Sequence, residues 1–162
     1  MSSLCRLESV HQELLDLARR RDLFYYYQTA RAPKAIDLRE NQELLSRLCG
    51  SSRIHVSWPV DITNPHRENE GSAITARWFE SAASGATVVG GRPRTEEFDR
   101  LFPYSGFIRT IDPDSPGDAQ RIVTETLAGR EDWPARQALA EHVRTHHTWK
   151  ARWKQIAETC CA

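Results

Sequence analysis

The chain has 162 residues, with 22 basic side chains balancing 22 acidic ones and no formal net charge. That balance excludes generic attraction to nucleic acid or to an anionic membrane surface and leaves only a local basic site open. The length suits one domain with a real core. No apolar run approaches the roughly eighteen residues of a membrane span, and the N-terminus lacks a signal-peptide layout, so the expected compartment is the cytoplasm.

In chain order, Leu4 to Arg21 places Leu4, Leu7, Leu14, Leu15 and Ala18 at helical spacing, which predicts a surface helix. Its basic end, Arg19-Arg20-Arg21, suits the negative end of a helix dipole better than a phosphate. Leu23 to Tyr27, LFYYY, is short and aromatic and predicts the first core strand. Gln28 to Pro33 then forms a loop that brings Arg31, and Lys34 after it, beyond that strand's carboxyl end. Asp37 to Cys49 predicts a second helix with Leu38, Leu44, Leu45 and Leu48 inward and Gly50 as its stop.

Arg53 to Trp58 alternates polar and apolar residues and predicts a strand, with His55 satisfied in or near the core rather than acting as a base. Pro59 to Gly71 is a polar loop of the kind that carries function at strand ends. Ile74 to Ser84 then reads as an amphipathic helix with Ile74, Trp78 and Ala82 on one face, while Arg77, Glu80, Ser81 and Ser84 fall on the others. Gly85 ends it. Ala86 to Val89 predicts a strand covered on both faces, closing on Gly90-Gly91, where backbone amides are able to approach a phosphate or sugar.

Thr95-Glu96-Glu97 opens a short helix with Phe98, Leu101 and Phe102 inward, and Phe107 to Ile111 is the next strand. Helices follow from Asp118 to Ala128, from Trp133 to Arg144 with Pro134 in the first turn, and from HTWKARW to the end. Adjacent His146 and His147 point in different directions and read as packing or capping groups. Cys5, Cys49, Cys160 and Cys161 have no CxxC spacing and read as reduced thiols. The layout is an N-terminal helix over residues 4–21, a core over 23–130 and C-terminal helices over 132–158, one α/β domain across residues 1–162.

The segment TARWFESAASGATVVGG resembles the TxRxFEAxAxGxxxxG signature of group 1 glycosyltransferases, of the branch grouped with spore-maturation-type enzymes. FDRLFP and HTWKAR are similar to two further motifs of that family, in the same order. The resemblance runs from about Tyr25 to the C-terminus and is strongest between Thr75 and Pro103. It implies a single Rossmann-like domain with a short parallel sheet flanked by helices, the donor-binding C-terminal half of a GT-B architecture.

It further implies transfer of a sugar from a nucleoside-diphosphate sugar, of the hexosyltransferase type, with retention and without a metal or other cofactor. Glu80 matches the carboxylate that contacts the ribose, and Arg77 matches the family's arginine beside the diphosphate; Thr75, Gly90 and Gly91 complete the match. The family's sugar-contacting glutamate stands eight positions earlier, where this chain has Ser72; Glu70 is two residues off register. Arg31 and Lys34 fall where family members place phosphate-neutralising cations, though at a different spacing, and solvated loop charge is an equal reading. With no counterpart to an acceptor domain, the expectation is a piece of a longer enzyme, a split enzyme completed by a second glycosyltransferase half or a homo-oligomer, or a non-catalytic Rossmann-like binding or interaction module.

Overall fold

The computed structural model describes residues 7–27, 38–63, 74–103, 105–129 and 133–160. Arg31, Lys34, Glu70 and Ser72 lie outside them, as do Leu4, Cys5 and Cys161. The described elements are α1 (Glu8–Arg21), α2 (Leu38–Ser51), β1 (Ile54–Ser57), α3 (Val60–Thr63), α4 (Ala76–Ser84), β2 (Thr87–Gly90), α5 (Glu96–Leu101), a 3-10 turn (Ser105–Phe107), β3 (Ile108–Thr110), α6 (Asp118–Ala128), α7 (Trp133–His146) and α8 (Trp149–Cys160).

The three strands form one parallel sheet in the order β1-β2-β3. Crossovers that are right-handed and advance in one direction must put their helices on one face. Accordingly α4 and α5, from the two successive crossovers, share one apolar layer: Trp78, Ala82, Val88, Phe98, Phe102 and Phe107, closed by Leu139 and Val143 of α7. The opposite layer joins Val10, Leu14 and Leu17 of α1 to Val89, Ile111 and the inner face of α6. Neighbouring Val88 and Val89 point into different layers because side chains alternate along a strand. All four residues of β2 are buried, as a central parallel strand requires.

Several sequence expectations hold closely. Gly85 ends α4 in the left-handed conformation at φ 71°, and Thr95 caps α5 by accepting from the Phe98 amide at 3.2 Å. α6 spans Asp118–Ala128 as expected.

Others are corrected. Leu23–Tyr27 is not a strand of the described sheet. Its side chains alternate, with Leu23 and Tyr25 against the core and Phe24 80% exposed, but Tyr25 is tied by its side chain, sharing a 3.0 Å hydrogen bond with His11 Nδ1. The inward face of α1 is Val10, His11, Leu14 and Leu17, whereas Leu15 and Ala18 are half-buried. α2 continues through Gly50 to Ser51, where the Ser51 hydroxyl donates to the Arg47 carbonyl and the Ser52 hydroxyl to that of Leu48, and Leu44 stays exposed. Ser81 is wholly buried rather than on a solvent face. Within β2, Thr87 brings a hydroxyl into the buried strand, and buried Arg136 satisfies it by donating from Nη1 at 3.0 Å.

α8 buries none of its residues, and Trp149 and Trp153 stay 79% and 63% exposed. Side chains this exposed hold little folding energy, and changing both to Lys is expected to leave the thermal midpoint within about 4 °C of wild type. A larger fall in a circular-dichroism melt would show that the two rings pack against the protein.

Candidate functional site

α4 belongs to the crossover that joins β1 to β2 in parallel, so it runs back against the strands and its first turns lie toward their carboxyl ends, where ligands of open α/β sheets bind. Thr75 is its N-cap; its side chain is exposed and makes no cap hydrogen bond. Arg77 and Glu80, one turn apart, face each other with Nε to Oε2 at 3.5 Å and roughly half of each side chain exposed. An exposed pair of this kind contributes at most about 1 kcal/mol to folding, so neither group is committed to structure. A guanidinium and a carboxylate held side by side offer an anion its donors and a diol its acceptors.

Beneath this pair sits His55, on the same face of the sheet as its register partner Val88 and only 9% exposed. Its Nδ1 lies 2.7 Å from Ser81 Oγ, and that hydroxyl donates its one hydrogen to the Arg77 carbonyl at 2.8 Å. The chain from His55 through Ser81 to the Arg77 carbonyl is complete when Nδ1 carries the ring proton, because the Ser81 hydroxyl has one hydrogen to give. Nε2 is buried and has no hydrogen-bond partner among the described residues. Burial pushes the His55 imidazole below its ordinary range; the charge of Arg77 adds to that, and the backbone of Cys49 opposes it.

Cys49, in the last turns of α2, is a free, half-buried thiol on the other side of the same group. Burial raises its pKa, Glu80 raises it further and Arg77 works against both. Arg77, Glu80, Cys49 and His55 thus form one electrostatic neighbourhood between α2, β1 and α4. The sequence singled out Arg77 and Glu80; it treated His55 as core and put Ser81 on the wrong face. Spacing of 26 residues between those two gave no signal, because only strand packing brings them together.

The two glycines at the end of β2 are packed closely against the chain itself. Gly90 has φ 139°, and a Cβ there would lie 2.1 Å from the Ser57 carbonyl oxygen. At Gly91 a Cβ would meet Pro59 Cδ at 2.7 Å and Trp58 at 3.0 Å. Their side-chain positions are filled by the end of β1 and by α3, and the Gly91 amide donates to Ser57 O at 3.1 Å. Close approach of the chain to itself, rather than open space for a ligand, demands glycine here.

The C-terminal histidines pack, as expected. His147 lies against Phe79, with ring centres 5.5 Å apart, and Arg152 covers the same Phe79 ring at 5.1 Å. His146 Nδ1 donates to the His142 carbonyl at 2.9 Å. Among the described residues no three His, Cys, Asp or Glu side chains gather as a metal site, and no helix is long and apolar enough to cross a membrane.

A three-stranded parallel sheet clothed by helices on both faces, with an accessible cation-carboxylate pair in the opening turns of its first crossover helix, defines a Rossmann-like α/β domain. The family model described as glycosyl transferase-like matches residues 34–158, and the chain belongs to that family. Neither a curated protein nor a solved structure matches it.

Proposed function

We propose that this chain is the donor-binding domain of a glycosyltransferase, moving a sugar from a nucleoside-diphosphate sugar to an acceptor. The observation that carries the reading is the Arg77–Glu80 pair: both groups are solvent-accessible, adjacent, and placed in the opening turns of α4 in a chain of the glycosyl transferase-like family. In this reading the Arg77 guanidinium stands by the diphosphate, on which negative charge grows as the glycosidic bond breaks. Glu80 accepts hydrogen bonds from the two ribose hydroxyls. Thr75 lies at the same helix start; Arg31, Lys34, Glu70 and Ser72 remain candidates for the phosphates and the sugar, and Gly90 and Gly91 shape the floor.

The same reading takes the domain as the C-terminal half of a GT-B enzyme of the spore-maturation-type branch, retaining and independent of metal, working in the cytoplasm with a second half supplied by the same or another chain.

Exchanging Glu80 for Gln keeps the shape but removes the charge from the acceptor of a diol. Its affinity for the preferred nucleotide sugar is expected to fall about tenfold, since hydrogen bonds to charged groups are worth about 1.5–3 kcal/mol. Folding stability should stay within about 0.5 kcal/mol of wild type because the side chain is exposed. Calorimetric titration with nucleoside diphosphates and their sugar conjugates, with and without divalent metal, measures the first, and equal affinity in the two proteins counts against Glu80 as the ribose contact.

A further inference from the structure

The buried His55 is a titratable group beneath α4 that the donor reading leaves without a task, and its connections are specific. From mid-strand in β1 it reaches Ser81 at 2.7 Å, and Ser81 in turn reaches the Arg77 carbonyl at 2.8 Å. A mid-helix serine bonded to the carbonyl four residues back bends a helix slightly and holds that turn. Here the serine is anchored from outside by a ring fixed in the sheet. The turn it holds, from Arg77 to Ser81, carries both members of the proposed donor pair.

We infer that His55 is a positioning residue for nucleoside-diphosphate binding: through Ser81 it fixes the first turns of α4 so that Arg77 and Glu80 stand ready for the ligand. The inference rests on the donor-domain reading above. A pre-set turn saves the ligand the cost of ordering two long side chains and their backbone.

The arrangement is proton-sensitive. A second ring proton creates a buried imidazolium faced by Arg77 and Ser81 from α4, Cys49 from α2 and apolar Val88 from β2, and Glu80, paired with Arg77, is the carboxylate that acts on this group among the described residues. Because the folded-state pKa of His55 lies below its unfolded value, the neutral form is favoured in the folded protein. The stability contribution is present above the ordinary imidazole range near about 6.5 and declines as the pH falls from there, while the set turn is disturbed only nearer the folded-state value, where the buried ring itself takes on a charge.

The test titrates UDP, GDP and ADP into the full chain and three variants, at intervals between about pH 5 and 8. His55→Asn places an amide N–H where Nδ1–H stood and cannot titrate; His55→Val removes the donor; Ser81→Ala removes the relay with a residue that favours helix. For whichever diphosphate the wild type binds, His55→Val and Ser81→Ala are expected to bind about tenfold more weakly, and His55→Asn within about twofold of wild type. The diphosphate itself titrates in this range, so the acid-side weakening is read as wild type minus His55→Asn, and that difference should be positive. Nitrogen chemical shifts of the His55 ring should report a proton on Nδ1, and amide exchange over Arg77–Ser81 should quicken in His55→Val and Ser81→Ala only.

If the wild type binds none of the three diphosphates, the donor reading falls and takes this role with it. If it binds and the Val and Ala variants bind equally well, or His55→Asn is as weak as His55→Val, the positioning role alone is overturned. A ring protonated on Nε2 at neutral pH overturns it as well.

Discussion

Placing alanine at Gly90 is expected to cost the domain about 3–5 kcal/mol, combining a strained backbone with a forced contact, out of a total stability on the order of 5–15 kcal/mol. Two causes act together. The residue sits at φ 139°, which side-chain-bearing residues rarely adopt, and the new methyl carbon would lie 2.1 Å from the Ser57 carbonyl oxygen. Neither the backbone of β1 nor that of β2 is free to yield, because Ser57 and Gly90 are register partners in the same ladder and Ile111 donates to the Gly90 carbonyl at 2.8 Å. A urea midpoint matching wild type would show that the strand ends separate easily. The result bears on function too: if Gly90→Ala abolishes ligand binding, the loss reports on the fold and not on a contact with the diphosphate.

Trp78→Ala should cost a similar amount, about 3–5 kcal/mol, as large aromatic truncations in cores do. Trp78 is 1% exposed and meets the Phe98 ring edge-on, with centres 5.2 Å apart, in the layer shared by α4, α5 and α7. The cavity would open where three helices converge, so little collapse is available to fill it. Because Trp78 lies between Arg77 and Phe79 in the chain, ligand affinity should fall with stability. Stability measured by chemical denaturation decides the matter; a loss below about 1 kcal/mol would mean that the layer repacks around the gap.

These two residues show opposite limits of what pattern reveals. Trp78 was readable as core because its neighbours Ile74 and Ala82 recur at helical spacing, and burial follows periodicity wherever one face of a helix is dry. The two glycines were equally visible, yet their reason was not. A glycine leaves no trace of what occupies the space beside it, and here the occupant is the end of a strand more than thirty residues earlier.

The alternation in β1 is informative only in part. The alternation of Arg53 to Trp58 marks a strand without saying which side is drier: His55, expected in or near the core, and Ser57 are the more buried pair, while Ile54 and Val56 are half-buried. Both faces of this parallel strand are covered, so polarity does not choose the inward side; hydrogen bonding to Ser81 makes burial of His55 tolerable. Leu23–Tyr27 failed for the converse reason. β-forming residues supply a disposition to extend, and only a free sheet edge in the right place turns that into a strand.

By itself, then, the sequence determined the α/β class, the amphipathic helix that stops at Gly85, the central strand covered on both faces, the inward phenylalanines of α5 and the neighbouring placement of Arg77 and Glu80, all of which depend on spacings within a few residues. The tertiary structure alone decided that Gly90 and Gly91 are filled by β1 and α3, that Arg136 serves Thr87, and that His55 reaches the helix bearing the candidate site. Each of those is a contact between residues more than twenty-five positions apart, set by which strands pair and which faces meet, and local propensity carries no record of that choice.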